Sequence, residues 1–306
     1  MRTIDVVHLG LMLAALAITY LVPFELLLLS YVVLGPAHYF TEISWLHDRK
    51  YFLPRRSVAF GLAGVAVVAA LIDNAAWFGF VIWMAFVACA LLTTTTAAQS
   101  AVLTIAALGV TAIMAMNGSS LAVLGILLPT LIHVSLFTLV FMMLGAYRSG
   151  SRAQALLVIA YLMAIGIILV VPPSAATQIP AFAKAGQEYF RNVGPALGRL
   201  LGVGNLRLDT RLTSLLAFVY TNYLNWFIKA DVIRWAAIPR LRLALLVAAS
   251  AASTALYFYN YAFGFTVLLA LSLVHVVLEF PLNSLALRQL GAAVGRGFTQ
   301  QVHRRA

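Results

Sequence analysis

Gly35-Pro36-Ala37-His38-Tyr39-Phe40-Thr41-Glu42, continuing as Ile43-Ser44-Trp45-Leu46-His47-Asp48-Arg49-Lys50, is the stretch whose reading decides the fold. It closes a long apolar run that starts near Phe24. On a helix, His38 and Glu42 share one face, one turn apart. The same spacing returns near the other end of the chain, in His275-Val276-Val277-Leu278-Glu279. An ionisable group in hydrocarbon costs about 2.5–3.5 kcal/mol on insertion scales. Two such pairs inside apolar segments call for a compensating partner, and their residue types suit a metal ion.

The rest of the composition agrees with a membrane setting. The chain has 306 residues, of which 63% are hydrophobic and 9% charged, with a mean hydropathy of +0.98. A soluble domain carries about 25% charged residues. The chain therefore reads as all-α, one polytopic integral membrane helix bundle over residues 1–306. Apolar runs of about 18–25 residues make helices, not a barrel, the spanning element. A single cysteine, Cys89, excludes an internal disulfide and any zinc site built on cysteines. The net charge of +11 is not a nucleic-acid signal. Lys and Arg gather in short connections between apolar runs, which is how membrane proteins set their orientation. The apolar run after Arg2 lacks a small-residue cleavage site and reads as a retained helix.

Ten membrane helices are expected: about 5–22, 24–46, 57–72, 76–93, 98–116, 121–146, 153–171, 212–234, 241–259 and 263–287. Arg49, Lys50, Arg55 and Arg56 follow the second. Arg148 and Arg152 follow the sixth, Arg234, Arg240 and Arg242 the eighth, and Arg288, Arg296, Arg304 and Arg305 the tenth. If every run spans, all lie on one side, the cytoplasmic one in a plasma membrane, with both termini. The connections 73–75, 117–120 and 259–262 carry no Lys or Arg. The one long connection, 172–211, lies on the non-cytoplasmic side. Within it Tyr189, Phe190, Val193, Leu197, Leu200 and Leu201 recur at helical spacing, as in a helix lying in the interface.

The polar groups inside the membrane fall at overlapping depths. They are His38 and Glu42 on the second helix, His133 on the sixth, and His275 and Glu279 on the tenth. The eighth adds Asn222, Asn225 and Lys229 on one face. Convergence on one site follows. His38, His133 and His275 are candidate metal ligands. Glu42 and Glu279 are candidate catalytic carboxylates or additional ligands. Asn222 and Asn225 are candidates for orienting an imidazole through its second nitrogen. Imidazole with carboxylate suits iron, zinc, manganese or copper. The blander readings are a hydrogen-bonded His133 between helices and an intrahelical pair or proton relay at His38 and Glu42. His47 and Asp48 read as a solvated helix end. His8 and His303 lie near the termini. Lys229, Asp231 and Arg234 read as an interfacial ion cluster.

Gly35-Pro36-Ala37-His38 with an acid at Glu42 resembles the first histidine motif of the bacterial Brp/Blh family of membrane β-carotene 15,15′-dioxygenases. Leu273 to Phe280, with His275 and Glu279, is similar to the family's last motif. Tyr220-Thr221-Asn222-Tyr223-Leu224-Asn225-Trp226-Phe227 stands where the family has a histidine-rich helix, with Asn in place of His. The resemblance implies a polytopic protein that binds one iron (Fe2+) through histidines and cleaves a carotenoid with dioxygen. The chain offers one intramembrane histidine fewer than the family's four, and the family's His-Phe-Gly motif has no match.

Three functions compete. The first is an iron-dependent membrane oxygenase or related oxidoreductase on an apolar isoprenoid, carotenoid or lipid substrate that enters from the membrane lipids. The second is a transporter or proton-coupled carrier with an intramembrane His/Glu relay. The third is a non-catalytic membrane assembly partner, which leaves the grouping of His and Glu unexplained.

Overall fold

The computed structural model describes residues 3–50, 56–72, 75–116, 128–171, 173, 210–228 and 238–303. Among them every regular element is helical. In chain order these are α1 (Thr3–Leu21), α2 (Pro23–Leu29), a π-helical stretch π1 (Ser30–Leu34), α3 (Gly35–Arg49), α4 (Arg56–Ala70), α5 (Ala75–Leu92) and α6 (Ala97–Ala115). A second π-helical stretch, π2 (Leu128–Phe137), is followed by α7 (Thr138–Ser149), α8 (Arg152–Val170), α9 (Thr210–Thr221), α10 (Tyr223–Ile228), α11 (Arg240–Tyr259) and α12 (Tyr261–His303). The helix expected in the interface around Tyr189–Leu201 lies outside the described residues, as do Lys229, Asp231 and Arg234.

Six helices among the described residues are long and apolar enough to cross a membrane. They are Ile4–Leu21, Pro23–Arg49, Ile132–Ser149, Arg152–Val170, Arg240–Tyr259 and Tyr261–Ala293. Three shorter apolar helices, Ser57–Ala70, Trp77–Leu92 and Ala97–Ile113, lie between them in sequence. Two expected boundaries differ. The last helix does not stop near 287 but runs on to His303. The expected helix over 212–234 is broken by a turn at Asn222, between α9 and α10.

The distribution of polarity is inverted relative to a water-soluble bundle. Phe60, Val102, Ile105 and Leu245 are exposed, whereas Ser30, His38, Glu42, His133, His275, Glu279 and Asn283 are buried. An apolar exterior around a polar interior suits a bilayer, where charged and hydrogen-bonding groups turn toward the bundle.

α12 is the central post; α3, α4, α5, α7, π2 and α11 pack against it. Ala66 and Ala69 of α4 and Ala85 and Cys89 of α5 are small side chains in the core they share with Leu273, Val276, Val277 and Phe280 of α12. Small residues let helix backbones approach in lipid. Among the described glycines the tightest approach is at Gly264, where a Cβ would collide with the Tyr257 backbone of α11. A second core joins α1, α2, α3, α8 and α9 around Tyr161, Ile168, Phe218 and Tyr39.

Proline shapes both site helices. Pro36 has no N–H to give the carbonyl of Val32, four residues back. That carbonyl instead accepts the Thr254 hydroxyl of α11 at 2.9 Å. Pro281 likewise leaves the Val277 carbonyl, toward which the Cys89 thiol of α5 points at 4.0 Å. Ahead of Pro36 the chain is π-helical over Ser30–Leu34, and Gly35 N–H donates to the Ser30 carbonyl, five residues back. In the same region Ser30 and Thr221 share a hydroxyl–hydroxyl bond of 2.9 Å, tying π1 to α9. The α7–α8 hairpin turns at Gly150, in the left-handed region at φ 61°, and Ser151 caps α8 by accepting from the Gln154 N–H.

Candidate metal centre

α3 presents His38 and Glu42 on one face, π2 presents His133, and α12 presents His275 and Glu279 one turn apart. All five are at least nine-tenths buried. The spacing along each helix was visible in the sequence; the pairing between helices was not. Glu42 Oε2 lies 3.0 Å from Nε2 of His38 in its own helix and 2.8 Å from Nε2 of His275. Glu279 Oε2 lies 3.6 Å from Nε2 of His275 and 3.0 Å from Nε2 of His133. Each carboxylate thus joins its own helix to another. The ring centroids of His38 and His133 stand 5.0 Å and 5.2 Å from that of His275.

The result is one continuous cluster of three imidazoles and two carboxylates with His275 at its centre. Two overlapping donor groups can be drawn in it, His38–Glu42–His275 and His133–His275–Glu279. In each, one nitrogen or oxygen per residue lies within 4.8 Å of the others. Adjacent donors around one ion with bonds of about 2.0–2.2 Å are separated by about 2.8–3.6 Å, depending on coordination number. The Nε2–Oε2 separations fall in that range, so the donor set and spacing fit a transition-metal ion.

The surroundings are aromatic. Tyr223 stacks on His38 with centroids 4.2 Å apart, and Trp226 meets the same ring edge-on at 5.4 Å. Trp226 Nε1 donates to Thr41 Oγ1 at 3.1 Å, and Thr41 in turn donates to the carbonyl of Ala37 at 2.7 Å. Trp45 extends the wall toward the end of α3, 5.4 Å from Trp226. Tyr39 covers His275, centroid to centroid 4.8 Å. Its hydroxyl lies over residue 35, where a Cβ would approach to 3.1 Å, so a glycine there gives the phenol room.

Asn222 and Asn225 do not take the expected position against a ring nitrogen. Asn222 Nδ2 donates to the Phe218 carbonyl at 3.1 Å, and Asn225 Nδ2 donates to Asn222 Oδ1 at 3.1 Å. The turn at Asn222 brings Tyr223 and Trp226 of α10 to His38 instead. The carboxamide that does meet an imidazole is Asn283, fully buried on α12, with Nδ2 3.4 Å from His133 Nδ1. It follows Glu279 by one helical turn and belongs to the same face. His47 and Asp48 stand apart from the cluster at the exposed end of α3, where Asp48 pairs with Arg242 of α11.

Protein-family models, curated proteins and solved structures were each compared with the chain, and none matches.

Proposed function

We propose that the chain is a membrane-embedded, iron-dependent oxygenase or related oxidoreductase that acts on an apolar isoprenoid, carotenoid or lipid substrate. The observation that carries this reading is a buried run of three imidazoles and two carboxylates, drawn from three helices, in which two triads that share His275 have the spacing of metal ligands. His38, His133 and His275 hold the metal. Glu42 and Glu279 complete its shell or orient the imidazoles. Bound iron supplies dioxygen binding and electron transfer. The protein keeps water from the site with Tyr39, Tyr223 and Trp226, whose rings also offer an apolar substrate a surface to pack on. The wider architecture is ten membrane crossings in a plasma membrane, with both termini cytoplasmic. The Arg and Lys of the short connections, which fall on one side, support that topology; Lys184, Arg191, Arg199, Arg207 and Arg211 lie in the long connection on the other side, where the charge rule binds weakly.

A second reading has its own observation. His38, Glu42, His275, Glu279 and His133 follow one another at 3.0, 2.8, 3.6 and 3.0 Å, a chain of alternating base and acid suited to passing protons. Metal content separates the two. Purified protein should carry, or be reconstituted with, one equivalent of iron, manganese, copper or zinc. His38→Ala and His275→Ala should lose that metal while still inserting, whereas His47→Ala should keep it. A protein that takes up none of the four ions would leave the proton relay as the better account.

A further inference from the structure

Asn283 is a buried amide that the oxygenase reading does not use. Its Nδ2 faces His133 Nδ1 at 3.4 Å, and its Oδ1 is buried without a hydrogen-bond partner. The other nitrogen of His133, Nε2, lies 3.0 Å from Glu279 Oε2. These contacts suit one tautomer of a neutral imidazole beside an ionised carboxylate. While Nε2 faces the carboxylate directly, it carries the ring proton and donates it. Nδ1 is then a bare acceptor, served by the Asn283 N–H. For Nε2 to ligate a metal, its lone pair must be free, and the ring proton moves to Nδ1. Nδ1–H then needs an acceptor. Among the described residues, the carbonyl end of the same carboxamide is placed to provide it, and a half-turn about χ2 exchanges the two ends in place.

We propose that Asn283 is the positioning residue that lets His133 serve in both tautomers, its amide turning over as the metal is loaded. This rests on the metal-centre reading above. The chemistry explains why a carboxamide suits the position. Asparagine can donate to bare Nδ1 and accept from Nδ1–H. Aspartate, when ionised, can only accept, and so holds a proton on Nδ1; with Glu279 on Nε2 the metal-free ring is then an imidazolium, which releases its Nε2 proton when a metal binds. Leucine, close in volume, does neither. A group on a metal-ligating imidazole's second nitrogen changes metal affinity by about 10–100-fold.

The test uses the full chain in detergent micelles with nitrogen-15-labelled histidine, His133 being assigned by difference from His133→Gln. In metal-free protein His133 should carry its proton on Nε2; on addition of zinc it should carry it on Nδ1. Asn283→Asp should show Nδ1–H without zinc. Asn283→Leu should weaken zinc binding about 10–100-fold, and Asn283→Asp should restore it to within a few-fold of the original protein. A structural role alone would lower stability in both variants without moving the tautomer or giving rescue. Equal zinc affinity in Asn283→Leu and the original protein overturns the proposal, as does a tautomer that zinc does not change. If the original protein binds no zinc or other metal, the metal-centre reading fails. The ring protonation of His133 in metal-free Asn283→Asp and in the original protein still decides the role of Asn283, because identical protonation overturns it.

Discussion

Replacing Thr254 with valine removes the hydroxyl that occupies the carbonyl Pro36 leaves free, and keeps the side-chain shape. Thr254 Oγ1 donates to Val32 O at 2.9 Å, from α11 to π1. Interhelical side-chain hydrogen bonds in membrane proteins average about 0.6 kcal/mol and reach about 1.7 kcal/mol. Thr254 should fall in the upper half of that range. The Val32 carbonyl has lost its helical donor to proline, and Val32 itself is almost wholly buried, so water offers little substitute. Thr254→Val alone should therefore cost about 1–1.7 kcal/mol, a five- to eighteen-fold fall in the folded-to-unfolded ratio. The decisive comparison is in a Pro36→Ala background. Alanine restores an N–H at position 36, which can bond Val32 O within the helix. The hydroxyl is then redundant, and Thr254→Val should cost close to nothing. Unfolding equilibria of the four proteins in mixed micelles, by steric trapping or by SDS titration, give the coupling directly. The cycle also cancels whatever packing the proline ring contributes. An equal cost of Thr254→Val in both backgrounds would refute the idea that this hydroxyl compensates for Pro36.

Other outcomes are expected. Glu42→Gln and Glu279→Gln should weaken metal binding by about 10–100-fold if the carboxylates orient the imidazoles; isothermal titration with zinc measures this, and unchanged affinity in both would remove them from the site. Gly264→Ala places a methyl against Tyr257 backbone, which cannot swing aside, and should destabilise by about 1–3 kcal/mol. Gly61→Ala, with nothing within 4 Å of the new methyl, should be neutral in the same unfolding assay. Reporter fusions at 73–75 and 149–151 should report opposite sides of the membrane; the same side for both would reject ten crossings.

The His-x-x-x-Glu pairs were legible in the sequence because spacing along one helix survives folding. His38 with Glu42, and His275 with Glu279, stand as that spacing requires. Which carboxylate meets which imidazole across helices depends on how α3, π2 and α12 are rotated against one another, and no local pattern encodes that. Asn283 was missed although the expected helix over 263–287 includes it: it lies two residues beyond Pro281, and the partner that gives it meaning, His133, stands on another element. Here the helix runs through, the Val277 carbonyl being faced by Cys89. The asparagines of the 210–228 region were misjudged because one continuous helix was assumed. The break at Asn222 lets the amides bond to Phe218 and to each other, and it hands the site-facing positions to Tyr223 and Trp226. Their signal was present as aromatic spacing of three, Tyr220, Tyr223 and Trp226.

The π-helical stretch before His38 has a consequence for how the protein could change. Each residue added to or removed from a helix turns everything beyond it by about 100°. A π turn is one such addition absorbed in place, so the Pro23–Arg49 helix consists of two halves with independently set phase. The outer half, around Leu26 and Leu27, is timed to the core shared with α9. The inner half, with His38 and Glu42, is timed to His275. Deleting one residue within Ser30–Leu34 would leave the outer half seated and rotate His38 and Glu42 away from His275 together. Ser30–Leu34 is thus the dial that sets the site's orientation, although none of its side chains belongs to the site.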